Sequence, residues 1–165
     1  MATRPRDIGT AAESAVVRYL RNAGFPHAER RSLRGTLDAG DITGTPGLAW
    51  EVKGGAAAKG ASDGLVAQWL ADTERERLNA RAGIGVLVLA RSGIGPANAG
   101  RWWAVLQVPV VVELLAGGEA SAWWRDRAPA LGTQPTRVHL STAVRMLHVS
   151  GYGTQPERTP ELLTT

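Results

Sequence analysis

The segment Gly44-Thr45-Pro46-Gly47 constrains the fold more than any other part of the sequence. Glycine and proline at this density mark a tight turn, and short stretches of strand-like composition lie on both sides of it. We therefore predict a β-hairpin whose strands are residues 41–43 and 48–53. If the loop between them has three residues, Asp41 lies opposite Glu51 on the paired strand.

The alternation of side chains along these strands separates a polar face from an apolar one. Glu51 and Lys53 are two positions apart, so both point to the side on which Asp41 lies. Asp38 is three positions before Asp41 and would project elsewhere, so Asp41 is the preferred acid; a register slip of one residue would weaken this argument. The opposite side is apolar, as a core requires: Ile42, Trp50 and Val52.

The predicted pair of Asp41 and Glu51 suggests a cation site. Their Cβ atoms would be ~5 Å apart, and the repulsion would raise the pKa of one carboxyl unless a cation lay between them. Mg²⁺ suits such a pair, because it binds one or two carboxylates together with water and phosphate oxygens. Lys53 would then hold a phosphate or orient the attacking water. The simpler alternative is a surface hairpin with a solvent-exposed Glu–Lys pair, and spacing alone does not separate the two readings.

The remaining pattern alternates helices with strands. Residues 9–24 are predicted as a first helix, on which Thr10 and Glu13 form a capping box. A capping carboxylate points back at its own helix terminus, so this role competes with the alternative that Glu13 is a third acid of the site. Ser62 or Asp63 is predicted to cap a second helix, residues 64–80.

The sequence also predicts the buried face of the second helix and the order of the elements that follow it. Its inner face is predicted from Val66, Ala67, Leu70, Ala71 and Leu78, with residues 74–77 at its solvated end, after a loop at 54–60. Strands are expected at 84–90 and 101–107, residues 110–116 fit either strand or helix, and a short helix is expected at 141–150. The order indicates an α/β fold with a mixed sheet of about four or five strands.

The charge composition suggests a polyanionic partner. The chain of 165 residues has net charge +4, with 17 Arg and only 2 Lys, and arginine binds phosphate in a bidentate manner. The alternative source of this bias is a GC-rich genome that encodes arginine throughout. Arg30, Arg31 and Arg34 cluster just before the hairpin, where they either form a solvated face or grip a DNA backbone.

Other classes of protein are excluded by composition. There is no Cys, which rules out disulfide scaffolds and thiolate zinc sites, and the three histidines are too far apart for a zinc-ligand pair. No segment resembles a signal peptide or reaches the ~20 apolar residues of a membrane span. We therefore expect a soluble, cytoplasmic protein without a membrane partner.

The segments Gly40-Asp41-Ile42 and Glu51-Val52-Lys53 together resemble the signature of PD-(D/E)XK nucleases, although Gly40 replaces the usual proline. The helix carrying Glu13 before the hairpin narrows the resemblance to Holliday junction resolvases, specifically the small phage-encoded ones akin to the archaeal resolvases. The resemblance covers residues 9–107. Further matching segments are Tyr19-Leu20-Arg21, Gly24-Phe25, Glu29-Arg30-Arg31, Pro46-Gly47-Leu48, Trp69-Leu70, Asn79-Ala80 and Trp102.

The resemblance implies roles for individual residues. Asp41 and Glu51 would bind Mg²⁺, with the backbone carbonyl of Val52 nearby, Lys53 would be the catalytic lysine, and Glu13 would reach the metal site. Mn²⁺ would substitute for Mg²⁺. The residues assigned to DNA binding are Arg30, Arg31, Arg34 and Lys59, with Gln68 as an accessory residue.

The implied protein has a restriction-endonuclease-like core, a mixed β-sheet flanked by helices, within residues 1–107. Residues 108–152 would be a C-terminal extension for dimerisation, DNA contact or completion of the core, and 153–165 a flexible tail. The implied function is Mg²⁺-dependent hydrolysis of four-way DNA junctions by a homodimer. The alternatives are another PD-(D/E)XK nuclease, acting in repair, restriction or exonucleolysis, and a DNA-binding protein without catalysis.

Overall fold

The fold is a β-sheet flanked by helices. The computed structural model describes residues 5–32, 38–125 and 134–154; for residues 5, 6 and 117–125 it describes the backbone and not the side chains. The helices are α1 (Pro5–Asn22), α2 (Gly55–Lys59), α3 (Asp63–Asn79), α4 (Val108–Arg125) and α5 (Leu140–Val149), with a 3₁₀ helix at Pro96–Arg101. The strands are β1 (Glu29–Arg30), β2 (Ile42–Thr43), β3 (Leu48–Lys53), β4 (Ile84–Leu89), β5 (Trp103–Gln107) and β6 (Pro135–His139).

The six strands form one mixed sheet in the order β1-β2-β3-β4-β5-β6. Only β3 and β4 are parallel, because α3 carries the chain across the sheet between them; the other neighbours are antiparallel. The predicted α/β class with helices flanking a mixed sheet is confirmed, with six strands rather than four or five.

The predicted hairpin forms in the expected register. Ile42 pairs with Trp50, and the side chains of both are fully buried. The turn requires glycine at Gly44, where φ is +76° and an added Cβ would collide with the backbone carbonyl of His27. The indole Nε1 of Trp50 donates to Thr45 Oγ1 at 3.0 Å, which ties the turn to the strand below it.

The sheet divides the interior into two apolar layers. One face packs against α1, α4 and α5 and includes Trp50, Val88 and Leu106. The other face packs against α3 through a smaller cluster: Val66, Leu70, Leu87, Leu89 and Val105. Because side chains alternate along β3, Glu51 and Lys53 emerge on the α3 side, opposite Trp50 and Val52.

The first helix begins earlier than predicted, which removes the capping box. Helix α1 starts at Pro5, with Asp7 in its first turn; proline suits the first position of a helix and a carboxylate suits its N-terminus. Thr10 is therefore inside the helix, where its carbonyl accepts from Ser14 Oγ at 2.7 Å. The prediction that Thr10 and Glu13 cap this helix is wrong.

The second predicted helix is present, but its buried face was assigned incorrectly. Ser62 caps α3, accepting from the backbone N–H of Leu65 at 3.3 Å. Ala67, Ala71 and Leu78 are exposed, and the residues buried against the sheet are Val66, Leu70, Thr73 and Glu76. Thr73 fits there because Gly85 of β4 has no side chain, so the two backbones approach closely. Glu76 is therefore not part of a solvated end.

The C-terminal third of the chain joins the same sheet and core. Residues 54–60, predicted as a loop, contain the short helix α2, and residues 110–116 lie within α4. The edge strand β6 was not predicted, whereas α5 was. Leu114, Leu140 and Leu147 belong to the larger core cluster. Of the predicted tail, only residues 153 and 154 are described. Among the described residues, no helix is both long enough and apolar enough to cross a membrane.

Candidate active site

Asp41 lies at the bend that leads into β2 and is fixed against β3. The backbone of Gly40 has φ +87°, and a Cβ there would lie 2.8 Å from the carbonyl oxygen of Trp50, so a glycine is needed at this close approach. The N–H of Asp41 donates to the carbonyl of Trp50 at 2.7 Å. Its carboxylate Oδ2 accepts from the N–H of Val52 at 2.8 Å. The acid is thus held by β3 itself.

Glu51 and Lys53 project from β3 on the same side, as predicted. The ammonium group of Lys53 hydrogen-bonds and forms an ion pair with Glu51 Oε1. The side chain of Glu51 is 8% exposed, whereas that of Lys53 is 31% exposed. Lys53 Nζ also lies 5.9 Å from the ring centroid of Trp69 on α3. The lysine therefore connects a buried acid to the protein surface.

A third acid, Glu76 of α3, joins this group and was missed at the sequence level. Glu76 is only 5% exposed, and its carboxyl lies close enough to that of Glu51 for each to influence the pKa of the other. Its Oε2 is a buried oxygen without a hydrogen-bond partner in the described part of the chain. A buried and unsatisfied carboxyl oxygen is costly. The signal was present, since continuing the stripe of Val66 and Leu70 by helical steps leads to positions 73 and 76.

The three acids share one electrostatic environment. The pKa of Asp41 is raised to about 7, first by burial and then by the neighbouring Glu51 carboxylate, although the hydrogen bond from Val52 opposes this. Burial also raises the pKa of Glu51 to about 7, against the effect of Lys53. Burial raises the pKa of Glu76 to about 7. Three acids around one ammonium group leave an excess of negative charge in a partly desolvated place.

Burial acts on the pKa of Lys53 in the opposite direction from its effect on the acids. Burial lowers the pKa of Lys53, but the hydrogen bond that Lys53 donates to Glu51 and the nearby carboxylates outweigh that effect, so the pKa is raised overall. Lys53 therefore stays protonated at neutral pH and supplies a fixed positive charge.

Glu13 lies near this group but is held by another partner. Its Oε2 accepts from Arg30 Nε at 2.7 Å, and Arg30 also contacts Thr10 Oγ1 at 3.4 Å. The charge of Glu13 still contributes to raising the pKa of Asp41. The structure thus places Glu13 within electrostatic range of Asp41, at the edge of the sheet where β1 meets α1.

The donor chemistry fits a hard divalent cation. Asp41, Glu51 and Glu76 offer carboxylate oxygens, and their combined charge when ionised exceeds that of Lys53. Among the residues whose side chains are described, no three Asp, Glu, His or Cys side chains are arranged as a metal site. Mg²⁺ is compatible with that, because it binds through one or two carboxylates and keeps several waters. Asp41 and Glu51 are the two that would hold it.

The residues predicted for DNA binding and the accessory residue do not gather around the acids. Arg31 is exposed, and its Nε donates to the carbonyl of Gly40 at 3.0 Å, which braces the bend before Asp41. Lys59 is exposed at the end of α2, and Gln68 is exposed on α3. Arg34 lies outside the described residues. Val52 contacts Asp41 through its N–H, and the role of its carbonyl as a metal ligand stays a prediction.

No protein-family model matches the chain, and neither the curated proteins nor the solved structures contain a match to it. The interpretation of the site therefore depends on its own geometry and chemistry.

Proposed function

We propose that this chain is a Mg²⁺-dependent endonuclease that resolves four-way DNA junctions by phosphodiester hydrolysis. The observation that carries the proposal is the meeting of Asp41, Glu51 and Lys53 on one face of the hairpin. This is the arrangement of acids and lysine that the resemblance to PD-(D/E)XK nucleases implies, and the register of Ile42 with Trp50 supports it.

The order of the elements supports the same proposal. Helix α1 precedes a three-stranded antiparallel meander, and α3 then leads to β4, which is parallel to β3. The acids lie on the middle of this unit, where β2 and β3 separate after a single bridging pair. We assign this arrangement to a restriction-endonuclease-like core.

The chain's own residues divide the chemical work. Asp41 and Glu51 would hold the cation, which when bound lowers the pKa of a water and neutralises charge on the phosphoryl group. Lys53 is close enough to Glu51 to share a hydrogen bond and exposed enough to meet a phosphate. Its ammonium group stabilises negative charge on the phosphate, and Mn²⁺ serves in place of Mg²⁺.

The proposed substrate is branched double-stranded DNA bound by a homodimer. Two copies would present two sites to two strands. The exposed Arg31 and Arg30, beside the bend at Asp41, would contact the DNA backbone, and selection would be by the shape of the branch. A repair, restriction-type or exonucleolytic nuclease of the same superfamily would use the same site on other DNA.

A DNA-binding protein without catalysis is the second candidate. Two observations favour it: Lys53 and Glu51 form a direct ion pair, and the described side chains lack a three-ligand metal group.

A panel of labelled four-way, flap, nicked and linear DNAs with Mg²⁺ separates these candidates. The proposal predicts that the wild type cleaves the four-way junction more than the other DNAs. It predicts no cleavage by the Asp41→Asn variant, whose amide is nearly the same size as the carboxylate it replaces. Equal cleavage of every DNA would indicate another nuclease of the superfamily. Binding without cleavage by both proteins would support the non-catalytic candidate.

A further inference from the structure

A row of side chains crosses the sheet on the face that α3 covers. The register places Lys53 beside Leu89, Leu89 beside Trp103, and Trp103 beside His139. Because neighbouring strands lie ~4.8 Å apart, the row extends ~14 Å from Lys53 to the edge of the sheet. The candidate active site is therefore one end of a longer feature.

Cationic and aromatic groups line the outer half of this row. The guanidinium carbon of Arg91 lies 4.2 Å from the centroid of the Trp103 ring, and its Nη1 is 2.9 Å from His139 Nε2. Arg137, two residues before His139 and on the same face, forms an ion pair with Asp63 at 3.0 Å. Asp63 is the acid of this surface, and its side chain is 97% exposed.

Arg91, Trp103 and Arg137 also line a concave surface at the carboxyl end of β4. It lies between α2, the start of α3 and the end of the strand, and three cationic side chains line it: Lys59, Arg91 and Arg137. Ser92 and Trp103 add a polar and an aromatic side chain, and no acidic residue is among its described lining residues; Asp63, the ion-pair partner of Arg137, lies outside that lining. A surface of this kind attracts an anion and offers an aromatic face beside it.

Leu89 is only 2% exposed, so a ligand reaches the row only at its outer half, around the concave surface. We propose that this outer half binds the DNA strand that continues from the phosphate held at Lys53. Arg91 and Arg137 contact successive phosphates, and Trp103 contacts a sugar or base between them. Arginine suits phosphate because its planar fork donates two parallel hydrogen bonds. With ~3.4 Å per nucleotide in a stacked strand, the ~14 Å from Lys53 to the edge of the sheet corresponds to about four nucleotides. The inference rests on the proposed function, because it takes Lys53 as the position of the reacting phosphate.

The test is the affinity for a fluorescently labelled four-way junction, measured by anisotropy without Mg²⁺ so that no cleavage occurs. We expect Arg91→Ala and Arg137→Ala each to weaken binding at least fivefold. Each should also lower the slope of log K against log salt by ~0.9 per lost phosphate contact. Arg145→Ala is the matched control: Arg145 is exposed on α5, on the opposite side of the sheet, and this variant should bind within twofold of the wild type.

Trp103 needs a variant that separates contact from folding, because it packs against the smaller apolar cluster. Trp103→Phe keeps an aromatic face and should retain most of the affinity, whereas Trp103→Leu, measured well below its own melting temperature, should lose affinity. Equal binding by the phenylalanine and leucine variants would remove Trp103 from the proposed contact.

The outcomes distinguish this inference from the proposed function. If Arg91→Ala and Arg137→Ala bind the junction like Arg145→Ala, with the wild-type salt slope, the row does not hold DNA. If they bind weakly while the wild type fails to cleave any DNA with Mg²⁺, the row stands and the endonuclease proposal fails. A wild type that binds no DNA overturns both.

Discussion

The carboxylate of Asp41 accepts a hydrogen bond from the backbone N–H of Val52 at 2.8 Å. One strand therefore positions Asp41, Glu51 and Lys53, since Glu51 and Lys53 flank Val52 on β3. Such a contact holds the acid in place without neutralising it, which leaves its charge available to a cation.

The hydrogen bond to Val52 predicts that Asp41→Asn folds normally. The amide oxygen of asparagine can accept the same N–H, and the substitution removes a buried carboxyl that Glu51 repels. We expect an equal or higher melting temperature at pH 8, with cleavage reduced at least ~10²-fold. Thermal unfolding and cleavage of a labelled junction measure the two effects. A melting temperature clearly below that of the wild type would contradict the described role of the hydrogen bond.

The stability of the metal-free protein should fall as the pH rises from about 5 to 8. Asp41, Glu51 and Glu76 each have a pKa of about 7 in the folded protein, whereas carboxyls of unfolded chains titrate near ~4. Between these values the folded state binds more protons than the unfolded one, so the free energy of unfolding decreases with pH. We expect a loss of at least ~4 °C in melting temperature, since 1 kcal/mol shifts it by about 2–4 °C.

Differential scanning fluorimetry in EDTA, with and without Mg²⁺ added in excess, measures this pH effect. Bound Mg²⁺ should reverse most of the loss at pH 8, because it stabilises the ionised carboxylates. The Asp41→Asn variant serves as the control and should respond less to the cation. A melting temperature that rises steadily from pH 5 to 8 would be incompatible with buried acids of raised pKa.

Glu76→Gln should stabilise the metal-free protein at pH 8. The amide removes one of three neighbouring negative charges and preserves side-chain volume, so we expect an increase of ~1 kcal/mol in the free energy of unfolding. Glu74→Gln is the matched control on the same helix, where it breaks a partly exposed ion pair with Arg77, and should be neutral or slightly destabilising. Urea unfolding at pH 8 compares the two, and equal effects would argue against a charged interior at Glu76.

Glu13→Gln tests whether the acid of α1 acts at the site. Its ion pair with Arg30 is partly exposed, so its loss should change stability by less than ~1 kcal/mol. The resemblance assigns Glu13 to the metal site, and we therefore expect cleavage to fall at least tenfold. Arg30→Ala breaks the same pair and provides the comparison. Full cleavage by Glu13→Gln would restrict Glu13 to its contact with Arg30.

The hairpin could be predicted from sequence because its information is local. The turn glycines and the loop length set the register of Ile42 with Trp50, and that register aligned Glu51 and Lys53. Glu76 could not be placed in the same way: its burial depends on how α3 packs on β4, where Gly85 admits Thr73. The start of α1 was misplaced because Thr10 and Glu13 imitate a capping box, whereas in the structure they face Arg30.

The edge strand β6 was missed for a related reason. Its residues are mostly half-buried, so its sequence lacks the apolar signal of a central strand, and only its pairing with β5 makes it a strand. The row from Lys53 to His139 likewise exists only through strand pairing across the sheet.

The most direct test of the central claim is the single-turnover rate of junction cleavage with Mg²⁺ for the wild type, Asp41→Asn and Lys53→Ala, each first shown to fold and bind the junction. We predict cleavage by the wild type alone. Cleavage at the wild-type rate by either variant, or its absence from all three proteins, would contradict the account.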